Sequence, residues 1–270
     1  MRNHFVRAAA GGGAPAYVTD NLVFHLDAAN TDCYSGSGTT VNSLVNNHTN
    51  DHWGDITWSS DSGGNTGGYF EYDGNQDEGL VFPYSTDFEN ENDGTNSVSD
   101  FTCEWWWYGI DDSSSSSTKL YPFVSFLPSN QTGYFPSGGN GIGMGNVGSW
   151  WFYRLVTSSQ SYINFRLYRY SSSPTVVDDS DHTWTGSQWH HYLVTKSGTS
   201  IKFYRNNGSP TTLTQSDTNN YSNLKKLYIG GRYANYRMTG RIGIVRLYQN
   251  KALTAAEVEQ NYDAEKSRYT

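Results

Sequence analysis

The fold of this chain is decided by one stretch, Asp100-Phe-Thr-Cys-Glu-Trp-Trp-Trp-Tyr108. Successive side chains of a β-strand point to opposite faces, so the residues of this stretch separate into two sets. The odd positions share one face: Phe101, Cys103, Trp105 and Trp107. The even positions share the other face: Thr102, Glu104, Trp106 and Tyr108. Because both faces carry large aromatic rings, we predict a central strand that is covered on both sides.

The composition of the whole chain agrees with a β-sheet fold. Its 270 residues include 9 Trp, 21 Tyr and 12 Phe, yet the apolar fraction is only 36%. Aromatic and β-branched residues fit the pleated, half-buried surface of a sheet, whereas good helix formers are scarce here. Burial must therefore rest on few, bulky side chains, and this composition argues against a helical bundle.

Short strands separated by turn residues continue on both sides of the central stretch. The first predicted strand, residues 21–27, places Leu22, Phe24 and Leu26 on one face. Further strands are predicted at residues 68–72, 79–82, 121–126, 150–156, 162–170, 190–196, 201–205, 227–229 and 241–248. About a dozen short strands without alternating helices predict an all-β fold, either a two-sheet sandwich or a barrel.

One helix is signalled, near the C-terminal end of the sequence. Thr254 and Glu257 have the spacing of a capping box, in which each side chain accepts a hydrogen bond from a backbone N–H of the first turn. Leu253 and Val258 have the spacing of a hydrophobic staple. We predict a short helix that ends near Ala264 and braces the sandwich.

The beginning of the sequence differs from the rest. It combines two arginines with the run Ala8-Ala-Ala-Gly-Gly-Gly-Ala-Pro15, which has almost nothing to bury. We predict a flexible arm over residues 1–17 and a single domain over residues 18–270. Contact with another chain would hold such an arm in place, and Arg2, Phe5 and Arg7 are its candidate assembly residues.

Charge and cysteine content exclude several classes of protein. The 18 Lys and Arg against 26 Asp and Glu give a net charge of −8, which disfavours binding to nucleic acid. No run of 18 apolar residues occurs, so no membrane span is predicted. Two cysteines, Cys33 and Cys103, are too few for a disulfide scaffold or a zinc cluster of thiolates. Whether these two cysteines pair is left open.

Sequence blocks in a consistent order resemble LamG-like jelly-roll domains of the concanavalin A-like lectin/glucanase superfamily. The blocks are Asn21-Leu-Val-Phe-His-Leu-Asp-Ala-Ala-Asn30, Tyr34-Ser-Gly-Ser-Gly-Thr-Thr40, Tyr69-Phe-Glu-Tyr-Asp-Gly74, Asp100-Phe-Thr-Cys-Glu-Trp-Trp-Trp107, Trp189-His-His-Tyr-Leu-Val194, Ile201-Lys-Phe-Tyr-Arg-Asn206, Leu227-Tyr-Ile-Gly-Gly231, Gly240-Arg-Ile-Gly-Ile-Val-Arg-Leu-Tyr248 and Ala252-Leu-Thr-Ala-Ala-Glu-Val258. The resemblance covers residues 19 to 262 and implies two antiparallel sheets of jelly-roll topology. The opening block together with the Gly/Ala arm is similar to structural proteins of bacteriophages.

The carboxylates and histidines are the candidate catalytic groups of this sequence. Glycosidases of this superfamily carry Glu-x-Asp-x-x-Glu on one strand, because retaining hydrolysis needs an acid and a nucleophile close together. Here Glu71 and Asp73 imitate the start of that pattern, but the third carboxylate is misplaced and a turn at Asp73 would break the shared face. Glu104 stands alone on its strand. His190 and His191 point to opposite faces and predict a structural pair, so we expect no enzyme.

Calcium and sugar are the two ligands that remain. The resemblance implies calcium at Asp27, Asp73 and Asp77, although Asp is also common in turns because it caps backbone N–H groups. No other cofactor is expected. Aromatic rings stack on the apolar faces of pyranoses, and five tryptophans near predicted loops or strand ends are candidates for this contact. They are Trp53, Trp58, Trp150, Trp151 and Trp184. Packing in the core is the alternative role for these rings.

Two functions follow from these patterns. The first is a non-enzymatic structural protein of the virion, for capsid decoration or association with a tail or fibre, attached through its N-terminal arm. Its expected place is the virion surface, and its partners are capsid or tail proteins and further copies of itself. The alternative is an extracellular carbohydrate-binding adhesion module for host or cell-surface glycans, assisted by calcium. Neither nucleic acid nor a membrane is an expected partner.

Overall fold

A computed structural model describes residues 16–60, 67–74, 79–83, 85–88, 100–109, 119–128, 150–156, 161–167, 175–178, 186–214, 225–230 and 238–270. Within these ranges the chain forms fifteen strands, one short 3-10 helix at Thr86–Phe88 and one α-helix. The described helix is neither long nor apolar enough to cross a membrane.

The strands are numbered in chain order. They are β1 (Leu22–Asp27), β2 (His52–Trp53), β3 (Thr57–Ser59), β4 (Tyr69–Asp73), β5 (Leu80–Phe82), β6 (Phe101–Gly109), β7 (Lys119–Pro128), β8 (Trp150–Val156), β9 (Ser161–Leu167), β10 (Thr175–Asp178), β11 (Trp189–Ser197), β12 (Ser200–Arg205), β13 (Thr211–Thr214), β14 (Lys225–Ile229) and β15 (Thr239–Gln249). The helix α1 spans Ala255–Tyr269.

Two antiparallel sheets form the predicted sandwich. The first sheet has the order β13-β12-β11-β6-β15-β4-β3, and β1 also pairs with β15. The second has the order β10-β9-β8-β7-β14-β5-β2. About half of the neighbouring strand pairs, such as β6 with β15 and β7 with β14, join strands that are distant in sequence, as expected of jelly-roll topology. The predicted fold class, an all-β jelly-roll sandwich with a C-terminal helix, is confirmed.

The two-faced character of the central strand is confirmed as well. β6 lies between β11 and β15, and the odd-numbered side chains from Phe101 to Trp107 enter the core between the sheets. There they meet apolar residues of the second sheet, such as Phe82 and Leu227. The even-numbered Trp106 is fully buried on the opposite face, which we call the outer face of the first sheet. Cys33 and Cys103 are buried free thiols.

The predicted alternation of the first strand is wrong at Leu22. The pairing of β1 with β15 shifts register between Leu22 and Phe24, as at a β-bulge. Phe24 and Leu26 therefore enter the core between the sheets, while Leu22 lies on the outer face beside Tyr248. An extra residue in a strand moves the following side chains to the other face, and alternation alone does not reveal it.

The helix starts where the sequence predicts and ends later. The reciprocal capping box of Thr254 and Glu257 is present, and Leu253 and Val258 are buried in one apolar cluster. The predicted end near Ala264 is wrong, because α1 continues to Tyr269. The last turn is retained because its final side chain is buried against the sheet.

Two glycines make the seat for Tyr269. A Cβ on Gly243 would lie 2.6 Å from carbons of the tyrosine ring, and one on Gly67 would lie 2.5 Å from the same ring. The hydroxyl of Tyr269 donates to the carbonyl of Gly68 at 3.4 Å. The ring also stacks on Trp106 at 4.9 Å between centroids, so the helix end is fixed to the sheet by close packing.

We expect Gly243→Ala to lower the free energy of unfolding by about 1–3 kcal/mol, because the new methyl group overlaps the Tyr269 ring. In a Tyr269→Ala background the same change should cost much less, since the ring that it meets is gone. Chemical denaturation of the four proteins of this double-mutant cycle measures the difference. Equal costs in both backgrounds would contradict the proposed seat.

Candidate functional site

Paired residues of an antiparallel sheet lie on the same face, so the strand register arranges side chains in rows across the sheet. One row on the outer face crosses five neighbouring strands. It consists of Trp189 on β11, Tyr108 on β6, Arg241 on β15, Glu71 on β4 and Thr57 on β3. We call these five residues the outer row. It joins two aromatic rings, a cation, an anion and a hydroxyl.

Arg241 is the centre of the outer row. Its guanidinium carbon lies 4.5 Å from the ring centroid of Tyr69 and 5.0 Å from that of Tyr108, so rings on both neighbouring strands hold it by cation–π contact. Its Nη2 donates to Glu71 Oε1 over a long 3.4 Å. The Arg241 and Glu71 side chains remain 25% and 30% exposed, and the Nε of Arg241 is buried without a partner.

The aromatic end of the row rests on the helix. Trp189 is buried, and its ring centroid lies 4.6 Å from that of Tyr269 and 5.7 Å from that of Tyr108. Tyr108 itself is only half-buried. The helix therefore supports the row from one side but does not cover it.

The outer row has the chemistry of a carbohydrate contact. An aromatic ring offers an apolar surface to a pyranose, while the guanidinium donates and the carboxylate accepts hydrogen bonds to its hydroxyl groups. Thr57 is exposed at the far end and adds a hydroxyl that can do both. The register that joins these five strands is not readable from the sequence, which is why sequence analysis missed this site.

The position of Asp73 differs from the prediction. β4 includes Asp73, and the turn begins only at Gly74, whose φ is +86°. Asp73 is exposed and shares the outer face with Glu71, two residues earlier on the same strand. The expected break of that shared face is wrong. Glu71, however, is paired with Arg241.

Glu104 is not alone either. It lies in a second row of the outer face, beneath α1, beside Arg246 and His25. Arg246 Nη1 donates to Glu104 Oε1 at 2.6 Å, its Nε donates to His25 Nε2 at 3.1 Å, and its Nη2 pairs with Glu265 of the helix. The ring of Tyr17 packs on this cluster, with its centroid 4.0 Å from the guanidinium carbon of Arg246.

We call this group the Arg246 cluster; every carboxylate in it is matched by donors. Asn261 donates to Glu104 and to the hydroxyl of Tyr248, and Arg268 donates to Glu265. The side chains of Arg246 and Glu104 have no exposed surface. A buried carboxylate fixed in this way binds the helix to the sheet.

The paired histidines occupy opposite faces, as predicted. His190 lies within 3.1 Å of Asn206 Nδ2 and 3.3 Å of Arg205 Nη2. His191 packs on Trp106, its ring nitrogens have no hydrogen-bond partner, and its Nε2 lies 4.0 Å from Glu104. Burial, together with the positive charge of Arg246, lowers the pKa of His191 to about 3. It is therefore neutral at pH 7.

The predicted sugar-binding tryptophans are only partly described. Trp53 and Trp58 lie on the edge strands of the two sheets and meet around Tyr34, at 5.2 and 5.4 Å between ring centroids. Both are half-buried against the core, and the indole N–H of Trp58 donates to the carbonyl of Ala28 at 2.8 Å. Trp184 and the side chains of Trp150 and Trp151 lie outside the described residues. The sugar-binding role of these five stays a prediction.

The predicted calcium ligands are not brought together. Asp27 lies opposite Ile244 of β15 and Asp73 opposite Thr239, so they are separated by five residues, roughly 17 Å along the strand. Both oxygens of Asp27 accept hydrogen bonds from Arg268. The guanidinium of Arg268 therefore balances the charge of this carboxylate. Asp77, and Arg2, Phe5 and Arg7 of the arm, lie outside the described residues.

Within the described ranges, no group of three His, Cys, Asp or Glu side chains is arranged to hold a metal ion. A role for calcium at Asp27, Asp73 or Asp77 stays a prediction.

The family of the chain follows from comparison with known proteins. A family model described as the concanavalin A-like lectin/glucanases superfamily matches residues 85–259. The chain belongs to this superfamily. The matched region begins before β6 and ends inside α1. It therefore includes Tyr108 and Arg241 of the outer row. A comparison with curated proteins finds no match.

Solved structures with the same fold include the binding domain of Paraclostridial Mosquitocidal Protein 1, with a TM-score of 0.63, 14% identity, and coverage of 90% of this chain and 52% of that one. The binding domain of botulinum neurotoxin DC in complex with SialylT has a TM-score of 0.57, 11% identity, and coverage of 93% and 52%.

A third structure is reported as showing that cell entry of botulinum neurotoxin type C depends on two ganglioside molecules. Its TM-score is 0.57 at 13% identity, with coverage of 93% and 52%. The chain thus spans about half the length of these neighbours. At such low identity the likeness shows the shared lectin-like fold alone.

Burial of neutral His191 predicts a loss of stability in acid. The unfolded chain binds a proton at this imidazole below pH 6.5, whereas the folded domain does so only near pH 3. Between these values the free energy of unfolding should fall by about 1.4 kcal/mol per pH unit for this one group. We expect His191→Phe to reduce the slope by that amount, measured by urea denaturation from pH 4 to pH 7.

His191→Leu provides a second test, in case the larger ring of Phe disturbs the packing on Trp106. The buried His25 remains in both variants and keeps its own share of the slope, because its pKa is also lowered by burial. If both variants lose stability with falling pH as steeply as the wild-type protein, the neutral state of His191 is wrong.

Proposed function

We propose that this protein is a non-catalytic carbohydrate-binding module whose outer row contacts the glycan. The observation that carries the proposal is the geometry of that row, in which a half-buried tyrosine lies beside an Arg–Glu pair. Tyr108 provides the ring for stacking, and Arg241 and Glu71 provide hydrogen bonds that orient the sugar. The superfamily and its lectin-like fold agree with this function, although fold alone does not determine it.

The structural neighbours add support of a general kind. Two of them are binding domains, one of a mosquitocidal protein and one of a botulinum neurotoxin, and the second was solved in complex with SialylT. Because this chain spans about half of each neighbour, those proteins support only a general class of ligand for it, namely glycans.

A non-catalytic role accords with the state of the described carboxylates. Retaining and inverting glycosidases need an acid and a second carboxylate that face the scissile bond. Glu104 is sealed beneath the helix with Arg246, and Glu71 is paired with Arg241 on an open face of the sheet. Neither is placed in a cleft with a second free carboxylate among the described residues, so these groups serve packing and binding in our proposal.

A glycan array followed by calorimetry tests the proposed site. We expect the wild-type protein to bind at least one class of oligosaccharide, and Tyr108→Ala to weaken that binding by about tenfold or more, because the stacking surface is lost. Trp53→Ala is the matched control, since it removes a half-buried ring at the Tyr34 edge. Near-UV circular dichroism establishes that each variant is folded.

The outcomes separate the two aromatic sites. If Trp53→Ala abolishes binding and Tyr108→Ala does not, the sugar contact lies at the edge that sequence analysis favoured. If the folded wild-type protein binds no glycan at all, the proposed function is wrong.

We propose, as a second function compatible with the first, that the module is displayed on a virion surface through residues 1–15. The observation in favour is that hydrogen bonds hold the first described residues of the chain against the domain. Val18 N donates to Asn261 Oδ1 at 2.8 Å, Tyr248 donates to the carbonyl of Val18 at 3.0 Å, and Gln260 donates to that of Ala16. Tyr17, which the predicted boundary assigns to the arm, packs on Arg246 and belongs to the domain.

Deletion of residues 2–14 tests this display role. Because the contacts that start at Ala16 are retained, we expect an unchanged melting temperature and unchanged glycan binding. Incorporation into particles, measured by sedimentation with purified virions, should be lost. Normal incorporation of the folded deletion variant would contradict attachment through the arm, and the triple substitution of Arg2, Phe5 and Arg7 by Ala should reproduce the loss.

A further inference from the structure

On the basis of the proposed function, we infer the class of glycan that the outer row selects. We propose that it binds sugar rings that present neighbouring, uncharged hydroxyl groups and discriminates against glycans that present a carboxylate, such as sialylated ones. The observations behind this inference are the pairing of Arg241 with Glu71 and the fixation of the guanidinium between two aromatic rings.

The guanidinium of Arg241 is fixed but incompletely used. Rings of Tyr69 and Tyr108 lie against it, so it has little freedom to turn toward an incoming group. Its hydrogen bond to Glu71 is long, at 3.4 Å, and its side chain remains 25% exposed. A preorganised and partly exposed donor is suited to a ligand that approaches the pair without displacing it.

Two neighbouring hydroxyl groups match this pair. One hydroxyl accepts a hydrogen bond from Arg241, and the adjacent one donates to Glu71, while the exposed part of the Tyr108 ring contacts the apolar side of the sugar. Both charged groups keep their partners in such a complex, and no charge is left without compensation. A neutral sugar therefore satisfies the site at no electrostatic cost.

A carboxylate fits the same place poorly. It would compete with Glu71 for the guanidinium of Arg241, and the displaced Glu71 would remain half-buried beside a like charge. An arrangement that penalises one ligand class in this way produces specificity by repulsion.

The charge of the whole chain acts in the same direction. The whole chain carries a net charge of −8, so its long-range field also opposes the approach of an anionic glycan.

Matched pairs of glycans test this selectivity: lactose against sialyllactose, and other neutral core oligosaccharides against their sialylated forms. We expect the wild-type protein to prefer the neutral member of a pair by about tenfold or more, measured by calorimetry or on an array. Glu71→Gln should reduce this ratio of affinities, because it strengthens binding of the sialylated member and weakens binding of the neutral one. Higher salt should also reduce the ratio, since the exclusion is electrostatic.

Asp51→Asn is the matched control. Asp51 forms a comparably exposed ion pair with Lys226 at 2.9 Å, next to an edge strand of the second sheet, and its substitution changes the net charge by the same amount. We expect its selectivity to equal that of the wild-type protein. If Asp51→Asn reduces the ratio of affinities as much as Glu71→Gln, net charge rather than the outer row sets the preference, and the inference is overturned.

The remaining outcomes distinguish this inference from the proposed function. Absence of binding to every glycan would refute the function itself. Equal or tighter binding of sialylated glycans that Tyr108→Ala abolishes would leave the function standing and overturn the selectivity. If Glu71→Gln keeps the wild-type ratio of affinities for neutral and sialylated glycans, the function also stands and the selectivity is overturned.

Discussion

The first sheet must be covered on both faces, and the rest of the structure follows from that constraint. β6 carries tryptophans on each side, and a large aromatic ring that is left in water forfeits the burial that stabilises the sheet. The second sheet covers Trp105 and Trp107 on the inner face. On the outer face that role falls to α1, whose Tyr262 and Tyr269 stack on Trp106 at 5.6 and 4.9 Å. The helix is therefore a structural requirement of the central strand.

Covering the outer face also encloses charge. Arg246 and Glu104 lie beneath the helix in adjacent strands, and burying two charges costs more than their attraction returns unless further donors complete the network. Here Glu265 and Asn261 of α1 complete it. Apolar contacts alone would let a helix slide along the sheet, whereas these contacts have a single register. We interpret the Arg246 cluster as the feature that fixes where the helix lies.

Local patterns predicted what local physics controls. The alternation along β6 and the cap at Thr254 depend on neighbouring residues, and both were confirmed. The end of α1 depends on Gly67 and Gly243, which are far from Tyr269 in sequence, and it was predicted five residues too early. The partner of Glu104 lies 142 residues away, and the outer row requires the register of five strands. Such long-range pairings have no signature in a single sequence, so the fold was predictable and the candidate site was not.

The position of the outer row illustrates how one fold supports different functions. α1 ends at Tyr269, so its last ring covers Trp106 and supports Trp189 while Tyr108 and Arg241 remain partly accessible. The helix thus covers one part of the outer face and leaves the Arg241 end of the outer row partly accessible. The jelly-roll therefore fixes the strands, while the position of the helix on the sheet decides which of the described side chains it covers. Neighbours that share the sandwich but differ in that covering element need not share a ligand site.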